Sequence, residues 1–262
     1  MTRKEDSVLR EARVHGARWE GLHHRYFSDP QVAEPLTAAI LQAVEALHPQ
    51  VVADLGGGTG FILKELLRRR PLEGVRLVDV DISEAQLSAC DDGRIERLAA
   101  SAAALTRRDL GAEGRSLLLV ARSLLHYFGR GGLQPLLRHL RSQLQAGEAF
   151  IHQSACFADE GDAASLNRIY RMMKTKKWYF TIGELEAALE EAGFALREVR
   201  AAPPLRLDSS DLAERYVLSA AQVASIREEV GREFGERAGV FVETRVGFTA
   251  WLHYSIFTCR AV

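Results

Sequence analysis

Two features that would direct the interpretation of this sequence are missing: a long apolar run and a surplus of one charge. No uninterrupted apolar stretch reaches the roughly 18 residues that a membrane-spanning helix needs. The 34 basic and 35 acidic side chains leave a formal net charge of -1. Because a dedicated nucleic-acid binder usually carries a strongly basic surface, we expect neither a nucleic-acid partner nor a membrane span.

Cysteine is also scarce. Cys90, Cys156 and Cys259 are scattered, and no two of them have the close spacing of a metal site or a redox pair. The adjacent His23 and His24 and the distant His152 do not complete a metal-ligand pattern either. We therefore predict reduced, mostly buried thiols and no metal site.

The first 20 residues lack the apolar core of a secretory signal. They mix Arg, Lys, Glu and Asp with apolar residues, and no continuous apolar segment forms. The sequence therefore predicts a cytoplasmic protein.

Between residues 51 and 153, short apolar runs alternate with segments of helical periodicity. Each run is short enough for a strand, and the segments between them repeat their apolar positions every three or four residues. Strands separated by helices indicate a parallel sheet covered on both faces, so we predict a doubly wound, Rossmann-like α/β fold. The predicted strands are residues 51–55, 75–80, 95–99, 116–121 and 149–153, and the predicted helices are 61–70, 83–89 and 133–144.

Helical segments outside this alternation suggest additions to the core. Residues 7–47 have helical periodicity with a break at Ser28-Asp29-Pro30, so we predict an N-terminal helical preface or lid over residues 1–47 and a core over 48–262. Helical insertions are expected near 160–180 and 208–238. The detailed expectations are helices at 162–177, 182–192 and 212–237, an irregular stretch at Pro203-Pro204, and closing strands at 246–260.

The most informative segment is a glycine-rich turn between the first strand and the first core helix, Asp54-Leu55-Gly56-Gly57-Gly58-Thr59-Gly60. Such a turn lets a ligand lie against the backbone and exposes free N–H groups at the helix start. A dinucleotide fingerprint fails because Phe61 stands where its third glycine belongs. The P-loop pattern is absent. What remains is an acidic residue followed by G-x-G-x-G.

In this setting the turn resembles motif I of the class I S-adenosylmethionine-dependent methyltransferases. The resemblance continues at Asp81-Ile82-Ser83, about 20 residues beyond Gly60, the usual distance to a carboxylate that holds ribose hydroxyls. It implies a ribose contact at Asp81, with Asp79 as second choice. Cofactor contacts are implied for Asp54, Gly56, Gly58, Gly60 and Ile82.

Later segments extend the resemblance in the family's order. Residues 119–128 are similar to its fourth strand and the segment after it, 140–153 to its fifth strand, and 181–194 to the helix before its sixth. The resemblance covers roughly residues 51–199 and implies a seven-stranded sheet. One family feature is missing: the acidic residue that often binds adenine is replaced by an alanine-rich stretch, where Ser101 or backbone groups are substitutes.

The resemblance implies S-adenosylmethionine as cofactor, S-adenosylhomocysteine as product, and methyl transfer to an O, N or C nucleophile of a small molecule. His126 is the first candidate for a base, with Tyr26 and Tyr127 behind it. His126 and Tyr127 have an alternative interpretation as residues that order their loop. Arg122 either approaches the cofactor carboxylate or caps a loop.

Two aromatic segments are candidates for the acceptor side. Trp19, His23, His24, Tyr26 and Phe27 form a cluster that either closes over the cofactor or packs on the core. The stretch 174–180 mixes basic and aromatic side chains, which either stack on an aromatic or acidic acceptor or form a solvated helix end followed by core residues.

Two other functions remain open at this stage. One is an RNA or protein methyltransferase, which would need an open basic groove. The other is a non-catalytic protein that binds the cofactor or a partner. The acceptor, the attacking atom and the oligomeric state, a homodimer included, are not determined by the sequence.

Overall fold

The apolar runs form neighbouring strands of one twisted sheet in a computed structural model that describes residues 22–262, with side chains from residue 25 onward. Along the sheet the order is β3-β2-β1-β4-β5-β9-β7. The strands are β1 (Val51–Leu55), β2 (Arg76–Asp81), β3 (Ile95–Ala99), β4 (Leu117–Arg122), β5 (Ala149–Phe157), β6 (Phe180–Thr181), β7 (Phe194–Asp208), β8 (Phe241–Thr244) and β9 (Gly247–Ala261).

Strand direction confirms the predicted Rossmann-like, mostly parallel, seven-stranded fold. Strands β3, β2, β1, β4 and β5 pair in parallel, whereas β9 runs antiparallel to both β5 and β7. Short β6 pairs with β5 and β8 with β9, off the main path. The strand order reverses between β1 and β4, and ligands of open α/β sheets bind at such a switch point, beyond the carboxyl ends of the strands. The glycine turn follows β1 at this place.

Helices cover both faces of the sheet. One apolar layer packs α1 and α2 on one face, and a second packs α4 and α6 on the other. A third apolar cluster joins α5, α7 and α8 to the ends of β7, β8 and β9. The helices are α1 (Pro30–Leu47), α2 (Phe61–Arg69), α3 (Glu84–Leu87), α4 (Gly129–Ser142), α5 (Glu160–Met172), α6 (Ile182–Glu191), α7 (Ser209–Tyr216) and α8 (Ala220–Phe234), with 3₁₀ helices at Leu22–Ser28 and Leu125–Phe128.

The structure confirms the predicted break at Ser28-Asp29-Pro30, where the 3₁₀ helix ends and α1 begins. Asp29 caps α1 by accepting a hydrogen bond from the Gln31 N–H at 2.8 Å, and Pro30 takes the first helical position, where its missing N–H costs nothing. The apolar side of α1 is buried in the same layer as α2. This helix is therefore a layer of the core. Trp19 lies outside the described residues, as do the side chains of His23 and His24.

Three expectations about the second half were wrong. The long helix at 212–237 is two helices, because Val217 takes a left-handed conformation with φ 54° and Ser219 starts α8 with a capping box to Gln222. Pro203 and Pro204 lie inside β7, where the pairing with β9 shifts at a bulge that accommodates their missing N–H groups. The helix predicted over 162–177 ends at Met172, and Lys174 takes a left-handed φ of 57°.

The three cysteines are buried free thiols, as predicted. No helix in residues 22–262 combines the length and apolar character needed to cross a membrane. Within the same residues, no group of three or more His, Cys, Asp or Glu side chains is arranged to hold a metal ion. His152 lies in the sheet core and stacks on Phe257 at 4.8 Å, and burial lowers its pKa to about 3.

Candidate functional site

The glycine turn has a backbone conformation that explains its alternating pattern. Gly56, Gly58 and Gly60 have φ values of +72°, +65° and +69°, a region that side chains with a Cβ rarely adopt. The Gly56 N–H donates to the carbonyl of Val80 at 2.7 Å, which ties the turn to the carboxyl end of β2. The turn is therefore held against the place where Asp81 emerges.

Gly57 has a different reason to be glycine. A Cβ at this position would lie 2.3 Å from Asp79 Oδ1 and 2.8 Å from Asp54 Oδ2. Both distances are too short for any side chain. The two carboxylates therefore lie directly beneath the turn, against the backbone of Gly57.

Asp54 and Asp79 are neighbours on β1 and β2, and both side chains are wholly buried. Burial raises the pKa of Asp54 to about 7, although the positive charge of Arg122 opposes the change. Burial raises the pKa of Asp79 to about 8, and the negative charges of Asp54 and Asp81 add to the effect. The floor of the turn is thus an acidic pair that titrates near neutral pH.

Asp81 lies at the end of β2, where it is partly buried and reaches the carboxyl edge of the sheet. One oxygen accepts a hydrogen bond from the Ser83 N–H at 2.8 Å. Burial raises the pKa of Asp81, against the opposing effect of backbone N–H groups of Ser83, Gly58 and Ile82. The next side chain, Ile82, is 41% exposed, an unusual exposure for isoleucine.

Ser101 follows β3 on the same edge of the sheet. The strand pairing sets Asp81 beside Ala99, so Ser101 lies just beyond the strand end next to Asp81. The Ser101 hydroxyl accepts a hydrogen bond from the Ala103 N–H at 3.3 Å, within a turn. Asp54, the three left-handed glycines, Asp81 and Ser101 are thus gathered at one edge, as the sequence predicts.

Arg122 is buried at the end of β4 and holds the segment before α1. Its guanidinium donates to the carbonyls of Tyr26 and Phe27, each at 3.2 Å. It also lies over the rings of Tyr26 and Phe27, 5.4 and 5.2 Å from their centroids. Burial lowers the pKa of Arg122. The loop-capping interpretation of this residue therefore describes its contacts.

Tyr26 is engaged on both sides of its hydroxyl group. The hydroxyl donates to the carbonyl of Pro203 at 2.5 Å and accepts a hydrogen bond from Gln153 Nε2 at 3.1 Å. Its ring stacks on Tyr254 at 5.6 Å. Burial raises the pKa of Tyr26 well above its ordinary value. Because its proton is held by a carbonyl and is hard to remove, Tyr26 is poorly suited to act as a base.

His126 and Tyr127 lie in the 3₁₀ helix after β4. The His126 side chain is buried, and its ring lies 4.3 Å from the Tyr127 ring and 5.2 Å from the Tyr179 ring. The His126 carbonyl accepts a hydrogen bond from the Trp178 N–H at 3.0 Å. This segment therefore packs against residues 177–179, which the chain reaches only after β5 and α5.

Lys177 is buried among tyrosines. Its ammonium nitrogen lies 4.4 Å from the ring centroid of Tyr127 and donates to the hydroxyl of Tyr216 at 2.9 Å. The Tyr170 ring lies at 5.7 Å. Neither sequence interpretation of the 174–180 stretch describes this arrangement, in which a cation is enclosed by aromatic rings.

Three features of the site were not predicted from the sequence: the constraint on Gly57, the burial of Lys177 and the pairing of Asp79 with Asp54. Gly57 occupies an unconstrained position of the G-x-G-x-G pattern, so only its contact with two carboxylates explains it. The alternation of Asp79 and Asp81 in β2 was the available signal, because it places both on one face of the sheet. Lys177 carried no signal of its burial.

No protein-family model and no curated protein sequence matches this chain. Solved structures do match. The YcgJ protein of Bacillus subtilis is 12% identical with a TM-score of 0.66, covering 87% of this chain and 98% of its own. The 1,6-didemethyltoxoflavin-N1-methyltransferase of Burkholderia thailandensis, solved with 1,6-didemethyltoxoflavin and S-adenosylhomocysteine bound, is 19% identical with a TM-score of 0.55, covering 99% and 89%.

The same likeness extends to a protein with another activity. The [4+2]-cyclase SpnF is 15% identical with a TM-score of 0.55, covering 88% of this chain and 82% of its own. Other matching structures are methyltransferases at 15–16% identity. At such low identity the likeness shows the fold and leaves the reaction to be argued from the site. The chain has the fold of the class I S-adenosylmethionine-dependent methyltransferases.

Proposed function

We propose that this protein binds S-adenosylmethionine over the glycine turn and transfers its methyl group to an O, N or C nucleophile of a small molecule. The observation that carries the proposal is the placement of Asp81 at the end of β2, beside a turn of three left-handed glycines at the switch point of the sheet. A carboxylate there can accept hydrogen bonds from both ribose hydroxyls.

The residues present fit this cofactor. The turn lacks side chains where the ligand would approach, and the exposed Ile82 offers an apolar surface for adenine. Ser101, beyond β3, is our candidate for a polar contact to the adenine edge. Asp54 lies beneath the turn and supplies negative charge toward a cationic ligand. We assign a positioning role to Arg122, because its donors reach the carbonyls of Tyr26 and Phe27.

S-adenosylmethionine supplies a methyl group that is already activated by its sulfonium. The protein therefore contributes mainly alignment and exclusion of water, and effective molarity can provide much of the rate enhancement. Where the acceptor must lose a proton, we assign its removal to His126. This residue follows β4 on the ligand side of the sheet, and Leu124 of the same segment contacts the Gly56 position. Tyr127, beside Lys177, is the second candidate.

The helices of the second half support a small acceptor. Helices α5 and α8 are linked by ion pairs from Arg168 to Glu229 and Glu233. With α7 they enclose an apolar cluster that includes Tyr26, Tyr170 and Tyr216. Aromatic side chains near this end of the sheet suit a metabolite better than a polymer, and the near-zero net charge does not favour RNA.

Calorimetry with S-adenosylmethionine and S-adenosylhomocysteine tests the cofactor. The natural protein should bind both, and Asp81→Ala should weaken binding at least about 100-fold, since two hydrogen bonds to a charged group are lost. Glu191→Ala is the control, because this exposed carboxylate pairs with Arg138 on α4 and its loss should leave affinity unchanged.

A screen of small-molecule acceptors tests the reaction by the appearance of S-adenosylhomocysteine. Product formation with an acceptor supports methyl transfer. Cofactor binding without product across the screen would favour a fold used for another purpose, as in the cyclase. If neither S-adenosylmethionine nor S-adenosylhomocysteine binds, the proposed function is overturned.

A further inference from the structure

The proposed function uses only one of the two carboxylates beneath the glycine turn, Asp54, and assigns no role to its partner, Asp79. Asp54 and Asp79 are directly paired in the register of β1 and β2, and one oxygen of each points at Gly57. Both side chains are wholly buried. Among the residues that the structure describes, none of their four oxygens has a hydrogen-bond partner.

The charged and titratable groups around the pair do not neutralise it. Arg122 faces Asp54, but its guanidinium donates to the carbonyls of Tyr26 and Phe27. Lys64 faces Asp79, but its ammonium pairs with Asp91 at 3.2 Å. The remaining neighbours are the carboxylate of Asp81, which is like-charged, and the thiol of Cys90, which lies beside Asp79 under Gly60.

Two ionised carboxylates in such surroundings are strongly unfavourable. Burial removes the water that would stabilise each charge, and the second negative charge then repels the first. A single proton held between two neighbouring carboxyl groups relieves both costs, as in other carboxylate dyads. The protein without ligand therefore has a physical reason to keep this pair partly protonated.

We propose that Asp54 and Asp79 share one proton in the cofactor-free protein and release it to solvent when the cationic cofactor binds above Gly57. The coupling rests on the proposed function. The cofactor brings fixed positive charge in its sulfonium and its ammonium, and the pair lies directly against Gly57 in the middle of the turn. In these low-dielectric surroundings, the positive charge of the cofactor stabilises the second ionised carboxylate in place of the proton.

The release makes cofactor binding dependent on pH. With a pKa of about 7 for Asp54 and about 8 for Asp79, the pair changes protonation within the physiological range. Between about pH 7 and pH 8, affinity for S-adenosylmethionine should rise with pH by up to about tenfold per unit, because one proton is lost per cofactor bound. Asp79 therefore affects cofactor affinity through its charge, without touching the cofactor.

The shared proton is tested first without cofactor. Carbon-13 NMR of aspartate-labelled natural protein should show two carboxyl groups with coupled titrations near neutral pH. In Asp79→Asn, whose amide has nearly the shape of a protonated carboxyl, the higher of the two titrations should disappear and a single titration of Asp54 should remain. Titration of all aspartates in the ordinary acidic range would overturn the proposal.

The coupling is tested by calorimetry at pH 7 in two buffers with different ionisation enthalpies. The natural protein should release about one proton for each S-adenosylmethionine bound, by linkage. Asp79→Asn should release fewer protons, because only Asp54 can then lose one, and its affinity should depend less steeply on pH between pH 6 and pH 8. Glu191→Gln, which removes an exposed carboxylate that pairs with Arg138, should behave like the natural protein.

The outcomes separate the two proposals. Binding without proton release in the natural protein overturns the coupling alone, and equal release from Asp79→Asn overturns the role of Asp79. Absence of binding at every pH overturns the proposed function and the coupling together. The NMR titration still decides the shared proton in that case, and it does so on the natural chain if Asp79→Asn does not fold.

Discussion

The two halves of the sheet build their candidate sites in different ways. In the cofactor half, defined as β1 to β3 with residues 56–60, the site is made by backbone conformation and by strand register. In the acceptor half, defined as β4, β5, β7 and β9 with their connecting segments, it is made by side chains from distant parts of the chain. Tyr26 and Pro203 are 177 positions apart, and Ser123 and Tyr254 are 131 apart.

This difference explains what each half tolerates. A backbone site depends on residues that lack side chains, so adding even one methyl group is disruptive. A site of distributed side chains can exchange individual groups while the fold persists. Substitutions in the first half should therefore be more disruptive than substitutions in the second.

The largest effect should come from Gly57→Ala in the cofactor half. Its Cβ would meet oxygens of Asp79 and Asp54 at 2.3 and 2.8 Å, so the turn or both strands must shift. We expect the free energy of unfolding to fall by about 3 kcal/mol and cofactor affinity to fall more than about tenfold. Urea unfolding and calorimetry measure the two effects.

Gly93→Ala is the control for that variant, because nothing lies within 4 Å of the added methyl group. Adding Asp79→Ala to Gly57→Ala removes the closer oxygen and should recover part of the lost stability. If Gly57→Ala were as stable as Gly93→Ala, the crowding beneath the turn would not exist in solution.

The next effect concerns the acceptor half and its proposed proton acceptor. His126→Phe keeps an aromatic ring between Tyr127 and Tyr179 but removes the imidazole nitrogens. Once an acceptor that carries a transferable proton is known, kcat should fall about 100-fold with cofactor affinity unchanged. His253→Phe is the control, since His253 also stacks on a ring, that of Phe157, and lies on β9. An unaltered kcat would remove His126 from the reaction.

Stability should depend on pH through the acidic pair. The folded protein raises the pKa of Asp54 to about 7 and of Asp79 to about 8, from about 3.8 in each case. The folded state therefore binds more protons than the unfolded state. The stability that these two groups contribute is fully present below about pH 4 and is lost as the pH rises through about 8. We expect a loss of at least about 2 kcal/mol between pH 5 and pH 9.

Asp79→Asn should reduce that loss, because its side chain carries no charge at any of these pH values. Thermal unfolding across the range measures the effect. A parallel pH profile for the natural protein and the variant would contradict the assignment.

A smaller effect should follow from Tyr26→Phe in the acceptor half. The variant leaves the Pro203 carbonyl and the Gln153 amide without this hydroxyl partner. We expect a loss of about 1–3 kcal/mol in the free energy of unfolding, because buried polar groups lose a hydrogen bond. Methyl transfer should persist at saturating substrate, which distinguishes a structural hydroxyl from a base. A large fall in kcat at unchanged stability would restore Tyr26 as a base candidate.

The smallest effect is a gain at the break between α7 and α8. Val217 is 88% exposed and has a φ of 54°, a conformation that is strained for a β-branched residue. Val217→Gly should stabilise the protein by about 1 kcal/mol in chemical unfolding. Val246→Gly is the control, since Val246 is 87% exposed without positive φ, and it should not gain stability.

Local signals were enough to predict the sheet and the glycine turn. The alternation of apolar runs and helical periodicity determines which segments pair, and the alternate glycines occupy positions whose φ values exclude other residues. Both signals act over fewer than about 20 residues, a distance at which sequence spacing still reports geometry. Asp54, Asp81 and Ser101 were placed at one edge for this reason.

Tertiary structure alone decided the rest. Nothing near Lys177 in the sequence indicates that Tyr127 and Tyr216 enclose it, and the run of apolar positions at 212–237 conceals the strained turn at Val217. The pairing of Asp79 with Asp54 depends on the register of two strands, which is set by the packing of the whole sheet. Spacing along the chain determines local conformation, whereas burial and charge depend on neighbours that only the folded chain brings into contact.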